Sequence, residues 1–365
     1  MNDVLLPLGQ VAAIGGAVAI GPLIWWRQRS RAATPAGRLR ALTLLTLFLT
    51  FDLIVFGAFT RLTDSGLGCP DWPGCYSAAS PVGAHEHIEA AQSAMPTGPV
   101  THGKAWIEMV HRYLASGVGL LILVMAVLSW RLARSSRAAH EPAPSPWLPT
   151  LTLAWVCVQG AFGALTVTMK LFPAIVTLHL LFGLGLLMLL AWQREAYEPQ
   201  PIVATARLRT GVAAVLVLAL LQVALGGWVS TNYAVLACDE FPTCHGGQWW
   251  PHLDFAQGFQ LWRELGQRAD GGYLGFEALA AIHMAHRIGA GIVFAAILAL
   301  AWALRQPAPS WTRWLLAAAG WQLATGLSNV VLDWPIIAAL GHTGGAAVLL
   351  ALLTTLLVRL KKANS

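Results

Sequence analysis

Nine stretches of this chain are long and apolar enough to cross a bilayer, and no other feature limits its fold so strongly. They run roughly over 8–26, 41–60, 109–131, 148–168, 174–192, 210–229, 283–304, 312–331 and 336–358. About 20 apolar residues span the hydrocarbon as a helix, and a spanning segment must satisfy its own backbone polar groups, so each stretch predicts a helix. Only 11% of the 365 residues are charged, against about 25% in soluble domains. That excludes an ordinary water-soluble fold and predicts an all-α polytopic membrane protein. The first stretch has no basic segment before it and is followed by Arg27, Arg29 and Arg31, which favours a retained helix over a cleaved signal peptide.

The net charge of +6 points to topology. Of 23 basic residues, 16 fall in alternate loops: Arg27, Arg29, Arg31, Arg38 and Arg40; Arg131, Arg134 and Arg137; Arg194, Arg207 and Arg209; Arg305 and Arg313; and Arg359, Lys361 and Lys362. Cytoplasmic loops carry such an excess, so these loops are expected inside a bacterial-type plasma membrane. The N-terminus and the loops over 61–108 and 230–282 are then expected outside, with the C-terminus in the cytoplasm. Basic residues dispersed between apolar runs give no reason to expect nucleic acid as a partner. The expected partner is the lipid bilayer.

A repeat organises the rest. Cys69 and Cys75 are followed by His111, Gln159 and His179; Cys238 and Cys244 are followed by His286, Gln322 and His342. Both glutamines open a Gln-x-Ala-x-Gly pattern and both precede a histidine by 20 residues. Two parallel pseudo-repeats of four transmembrane helices are therefore expected, plus one extra N-terminal helix. The implied boundaries are 1–40 for the extra helix and its basic loop, 41–192 for the N-terminal bundle, 193–209 for a cytoplasmic linker and 210–365 for the C-terminal bundle.

On the outer side of a membrane, disulfides persist, and the pairs Cys69 with Cys75 and Cys238 with Cys244 read as loop staples or as thiol-exchange sites. Cys157, inside an apolar stretch, reads as a small packing residue. His85, His87, His102, His140, His245 and His252 are expected in loops, whereas His111, His179, His283, His286 and His342 fall in helices. Ionisable residues inside a membrane mark function by default. Two imidazoles on facing helices can supply both axial ligands of a haem, which pairs His111 with His179 and His286 with His342 as haem-iron ligands. Arg112 and Arg287 follow a histidine in each half; they could contact haem propionates or snorkel to the surface. Glu108 stands one turn before His111, where the second half has His283. It reads either as a base or electrostatic stabiliser or as a solvated residue at a helix entrance. Asp52, mid-stretch, could bond a neighbouring helix or move protons.

The segment Gly57-Ala-Phe-Thr-Arg-Leu-Thr-Asp-Ser-Gly-Leu-Gly-Cys-Pro-Asp-Trp-Pro-Gly-Cys75, with Glu108-Met-Val-His111-Arg112, His179, His283-Met-Ala-His286-Arg287 and Gly341-His342-Thr-Gly-Gly345, resembles the haem A synthase family. The resemblance covers roughly 41–358 and leaves the first helix without a counterpart. It implies an oxidoreductase that converts the C8 methyl of haem O, its substrate, to a formyl group through hydroxylated intermediates, giving haem A for cytochrome c oxidase. It also implies substrate haem at His111 and His179 with Glu108 catalytic, and a haem b cofactor between His286 and His342. The Cys69–Cys75 disulfide is implied to have a possible redox role. Haem O synthase, oxidase assembly factors and further copies of the chain are the implied protein partners. An electron-transferring or quinol-oxidising cytochrome b subunit is the competing expectation; a transporter is a third, less suited to parallel repeats.

Overall fold

The computed structural model describes residues 2–139, 144–268 and 270–362 and is mostly helical. In chain order the elements are α1 (Asn2–Arg29), α2 (Pro35–Leu62), α3 (His85–Ala94), α4 (His102–Ala138), α5 (Trp147–Thr168), α6 (Pro173–Tyr197), β1 (Ile202–Ala204), α7 (Ala206–Thr231), α8 (Phe255–Gly258), α9 (Phe276–Leu304), α10 (Pro309–Val331), α11 (Ile336–Arg359) and β2 (Leu360–Lys362). Among the described residues, eight helices are long and apolar enough to cross a membrane: α1, α2, α4, α5, α6, α7, α9 and α11. The all-α polytopic expectation holds. The remaining stretch, 312–331, is the 23-residue helix α10, which is not among the eight because Gln322, Ser328 and Asn329 dilute its hydropathy. The expected linker contains β1, paired parallel with β2 from Ile202 opposite Leu360 to Ala204 opposite Lys362. His140 lies outside the described residues.

The chain divides into two compact units, Met1–Lys170 with Gly185–Pro199, and Leu171–Leu184 with Gln200–Ser365. Helix starts in both follow local chemistry. Thr34 accepts from the Gly37 N–H with Pro35 opening α2, Thr101 accepts from Lys104 N–H before α4, and Thr205 accepts from Leu208 N–H before α7. Each threonine satisfies a donor that the first helical turn leaves unpaired.

In the first unit α4 is the central helix. Leu39 and Leu42 of α2, Ala19 of α1, Leu121, Ile122 and Met125 of α4, and Leu186 and Leu190 of α6 form one buried cluster. Lipid tails are as apolar as leucine, so association within a membrane relies on close packing and interhelical hydrogen bonds. Both are present. A Cβ on Gly117 of α4 would stand 3.1 Å from the Gly15 carbonyl of α1. Gln193 donates to Thr43 (3.0 Å) and accepts from Thr152 (3.1 Å), tying α6 to α2 and α5. Such bridges contribute roughly 0.6 kcal/mol on average and up to about 1.7. Cys157 is exposed, which corrects its expected packing role: hydropathy alone does not separate a lipid-facing position from a buried one.

In the second unit α7, α9, α10 and α11 pack together, and α8 sits against α9. Trp228 of α7 donates to the Gly258 carbonyl at 2.9 Å, and Trp321 of α10 donates to the Gly341 carbonyl of α11 at 2.8 Å. Polar indole edges are thereby satisfied, while the Trp228 ring is buried and the exposed Trp321 ring lies along the glycines of α11.

Candidate functional site

In the first unit the Cys69–Cys75 loop is fastened to the start of α4. The two cysteines are disulfide-bonded and fully buried. Glu108 is only 4% exposed; one carboxylate oxygen accepts from Cys69 N–H at 2.8 Å and the other pairs with Arg112. Arg112 also donates to the carbonyls of Asp71 (3.1 Å), Pro73 (3.2 Å) and Gly74. A buried charge is tolerated when it is paired and hydrogen-bonded, and Glu108 meets both conditions. It is therefore no solvated residue at a helix entrance. Asp71 closes the loop's far side by accepting from the N–H groups of Tyr76 (2.6 Å) and Ser77 (2.7 Å).

The second unit builds the same fastening with a different central residue. Cys238 and Cys244 form a disulfide and are fully buried. Here His283 of α9 takes the place of Glu108: Cys238 N–H lies 3.3 Å from its Nδ1, and Arg287 Nε lies 3.3 Å from its Nε2. A neutral imidazole has one acceptor nitrogen, so it satisfies one of those two donors, where the carboxylate satisfies both. Arg287 also donates to the carbonyls of Cys238, Glu240 and Thr243, each at 2.8 Å. Most of the bonds from both arginines go to loop carbonyls, with Arg112 also paired to Glu108 and Arg287 directed at His283.

Below each fastening a histidine ring lies on a glycine. A Cβ on Gly57 of α2 would stand 3.0 Å from His111 Cε1; one on Gly226 of α7 would stand 2.9 Å from His286 Cε1; one on Gly326 of α10 would stand 3.2 Å from His342 Cε1. Larger residues there would push the rings aside. His286 and His342 face each other with ring centroids 6.4 Å apart and planes at 83°. Two imidazoles on opposite sides of one metal, each bonded at about 2 Å with a ring radius near 1 Å, bring their centroids to about 6 Å. The separation suits two imidazoles that would hold a single iron between them.

Other polar residues have plainer places. His85 and His87 lie on α3, and His102 opens α4 and pairs with Glu89 at 2.9 Å, so these three are helical where loops were expected. His245 pairs with Asp239 at 2.8 Å outside the spans; that hydrogen bond raises the histidine's pKa and lowers the aspartate's. Asp52 is exposed on α2. Sequence reasoning missed Gln222 on α7, which lies 2.9 Å from both Nδ1 and the carbonyl of His286, and Thr325 on α10, 3.1 Å from His342 Nδ1. A glutamine inside an apolar stretch was the available signal.

Fold and site define an all-α polytopic membrane protein in which histidines of packed helices lie beneath disulfide-closed loops. Residues 40–354 match the COX15-CtaA family, described as cytochrome oxidase assembly protein, and the chain belongs to that family. It is 39% identical over 319 residues to a protein named Heme A synthase from Shewanella oneidensis, covering 86% of this chain and 93% of that one. Proteins of the same name from Rhizorhabdus wittichii (28% identity, 89% and 95% covered) and Halalkalibacterium halodurans (26%, 83% and 90%) are also similar. Helix α1 lies before the matched region.

Proposed function

We propose that this protein is a haem A synthase: a membrane oxidoreductase that oxidises the C8 methyl of haem O to a formyl group by way of hydroxylated intermediates. Family membership and the relatives' shared name support the activity. The observation that carries the assignment of roles is the exchange of Glu108 for His283 at otherwise matching loop fastenings. A carboxylate beside His111 supplies an acceptor for a proton and a negative charge facing positive charge that develops on substrate. An imidazole beside His286 supplies neither as strongly, which suits a site that holds a cofactor without altering it.

On this reading the substrate half lies within residues 41–192, with His111 as a haem O ligand and Glu108 as the catalytic group. Residues 210–365 form the cofactor half, joined through a cytoplasmic linker over 193–209, with His286 and His342 holding haem b. When bound, that haem supplies one-electron transfer. The chain's own part is to present two neutral Nε2 atoms from α9 and α11, to keep the rings seated on Gly226 and Gly326, and to close the end of the bundle with a stapled loop. The 16 basic residues of the alternate loops support a cytoplasmic C-terminus and an outer position for both cysteine loops.

Co-expression with a source of haem O, followed by extraction and chromatography of haems b, o and a, tests the function. Hydroxylated and formyl haem are expected from the native chain. Glu108→Gln is expected to keep its haem and make neither product, whereas an electron-carrying cytochrome b would be indifferent to that change. Absence of both products from the native chain overturns the reading.

A further inference from the structure

His286 and His342 are each held by a glutamine clip. Gln222 of α7 donates from Nε2 to the His286 carbonyl at 2.9 Å, and Gln322 of α10 donates from Nε2 to the His342 carbonyl at 2.9 Å. A helix carbonyl already accepts from the residue four positions on, so the glutamine uses its second lone pair. The space for each glutamine comes from a glycine three residues beyond the histidine. A Cβ on Gly289 would collide with Gln222 Oε1, and a Cβ on Gly345 would collide with Gln322 Nε2. Two helix pairs thus repeat one device: a glutamine from one helix enters a glycine notch on the next and grips the backbone of the histidine one turn away.

The rings are held as well as the backbone. Thr325 donates its hydroxyl proton to the Trp321 carbonyl at 2.7 Å, so what it offers His342 Nδ1 at 3.1 Å is a lone pair. Nδ1 then carries the ring proton, and Nε2 keeps the lone pair that a metal requires. Gln222 stands 2.9 Å from His286 Nδ1. The Nε2 that donates to the His286 carbonyl therefore bears on the ring as well, and the two contacts together set the direction of the imidazole. In α2, four residues before the glycine under His111, the place that Gln222 holds before Gly226 is taken by Leu53.

We propose that Gln222 and Thr325 are positioning residues for the His286–His342 pair, Gln222 holding the backbone and ring direction of His286 and Thr325 fixing the tautomer of His342, so that this pair keeps its haem as a resident group. The inference rests on the reading of these histidines as axial ligands. Partners of ligating histidines typically change metal affinity about 10- to 100-fold when removed, and loss of bound haem is the corresponding observable.

The test uses the full chain purified in detergent with its haem, measuring transfer of haem to excess apomyoglobin together with the midpoint potential and low-spin spectrum. Gln222→Leu and Thr325→Val are each expected to lose haem at least about tenfold faster than the native chain and to shift the potential. Thr325→Ser, which keeps the hydroxyl, is expected to restore native retention. Unchanged transfer rate and potential in both variants, at unchanged thermal midpoint, overturns the proposal, as does Thr325→Ser behaving like Thr325→Val. If a variant fails to fold, Thr325→Ser and Gln222→Glu, which keeps the side chain's size but removes the donor to the His286 carbonyl, decide the matter: native-like retention in the first with faster loss in the second supports the proposal, and faster loss in the first or native-like retention in the second overturns it. His286→Met separates the two layers of inference. Haem content and spectrum unchanged in that variant sinks the ligand reading itself; haem depletion there with indifferent Gln222 and Thr325 variants sinks only the positioning roles.

Discussion

The two disulfide-closed loops share one architecture built around different central residues. Both hang on an arginine that follows a helical histidine, and both offer a cysteine N–H to a side chain one turn before that histidine. In the first unit that side chain is Glu108, which neutralises Arg112 and accepts two donors. In the second it is His283, which leaves Arg287 with carbonyls and one shared imidazole. The loops themselves therefore do not require a carboxylate. What the carboxylate adds is charge at the entrance to one histidine site, and the chemistry is assigned there for that reason.

The sharpest way to break this comparison is to exchange the central residues. Glu108→His should keep the Cys69 fastening, because an imidazole serves in the second unit, yet lower haem oxidation by a factor of about 100 or more, the scale of a lost acid–base group. Product chromatography and thermal unfolding of the same preparation check both halves; retained turnover would return Glu108 to a purely structural role. The arginines come next. Arg112→Met leaves a buried carboxylate without its cation, an expected loss of about 3–5 kcal/mol. Arg287→Met removes hydrogen bonds from a charged donor without stranding an opposite charge, an expected loss of about 1–3 kcal/mol. Denaturant unfolding in mild detergent ranks them, and equal losses would show that the Glu108 charge is not what distinguishes the loops.

A third difference concerns cover. Val11 of α1 is buried in the cluster that encloses Cys69 and Cys75, while the Cys238–Cys244 pair is enclosed by Ala280 and Met284. Deleting residues 1–31 should make Cys69–Cys75 reducible by a membrane-impermeant phosphine, scored by maleimide mass-tagging, and leave Cys238–Cys244 protected. Equal protection after deletion would show that α1 is not its shield. The smallest effect lies in the second loop alone. The His245 pKa is raised and that of Asp239 lowered by their hydrogen bond. The histidine's contribution is present below its ordinary value of 6.5 and disappears as pH rises through its raised value. The aspartate's is present above its ordinary value of 3.8 and disappears as pH falls through its lowered value. The pair holds between those limits. Asp239→Asn should return the His245 titration, followed by NMR, toward its ordinary value without altering haem content.

Much of this was legible in advance because apolar length, histidine placement and cysteine spacing are written in side chains. The described spans, the paired cysteines and the histidines of α4, α9 and α11 follow from such signals. Arg112 and Arg287 were visible as residues, but their acceptors were not: they are backbone carbonyls about 40 residues earlier, which any sequence would supply. Cys157 was misjudged because in a bilayer an apolar neighbour can be protein or lipid, and hydropathy counts both alike. The three-residue strands escaped notice because so short a ladder has no period to detect.

By itself, then, the sequence determined that the chain enters a membrane, where its helices lie and which few polar groups they must accommodate, since hydrocarbon leaves a polypeptide no other means of satisfying its backbone. Tertiary structure decided what those groups touch. The Cys69 loop meets Glu108, glycine notches admit Gln222 and Gln322, and Thr325 orients His342, because each contact depends on distances between segments that no one-dimensional pattern contains.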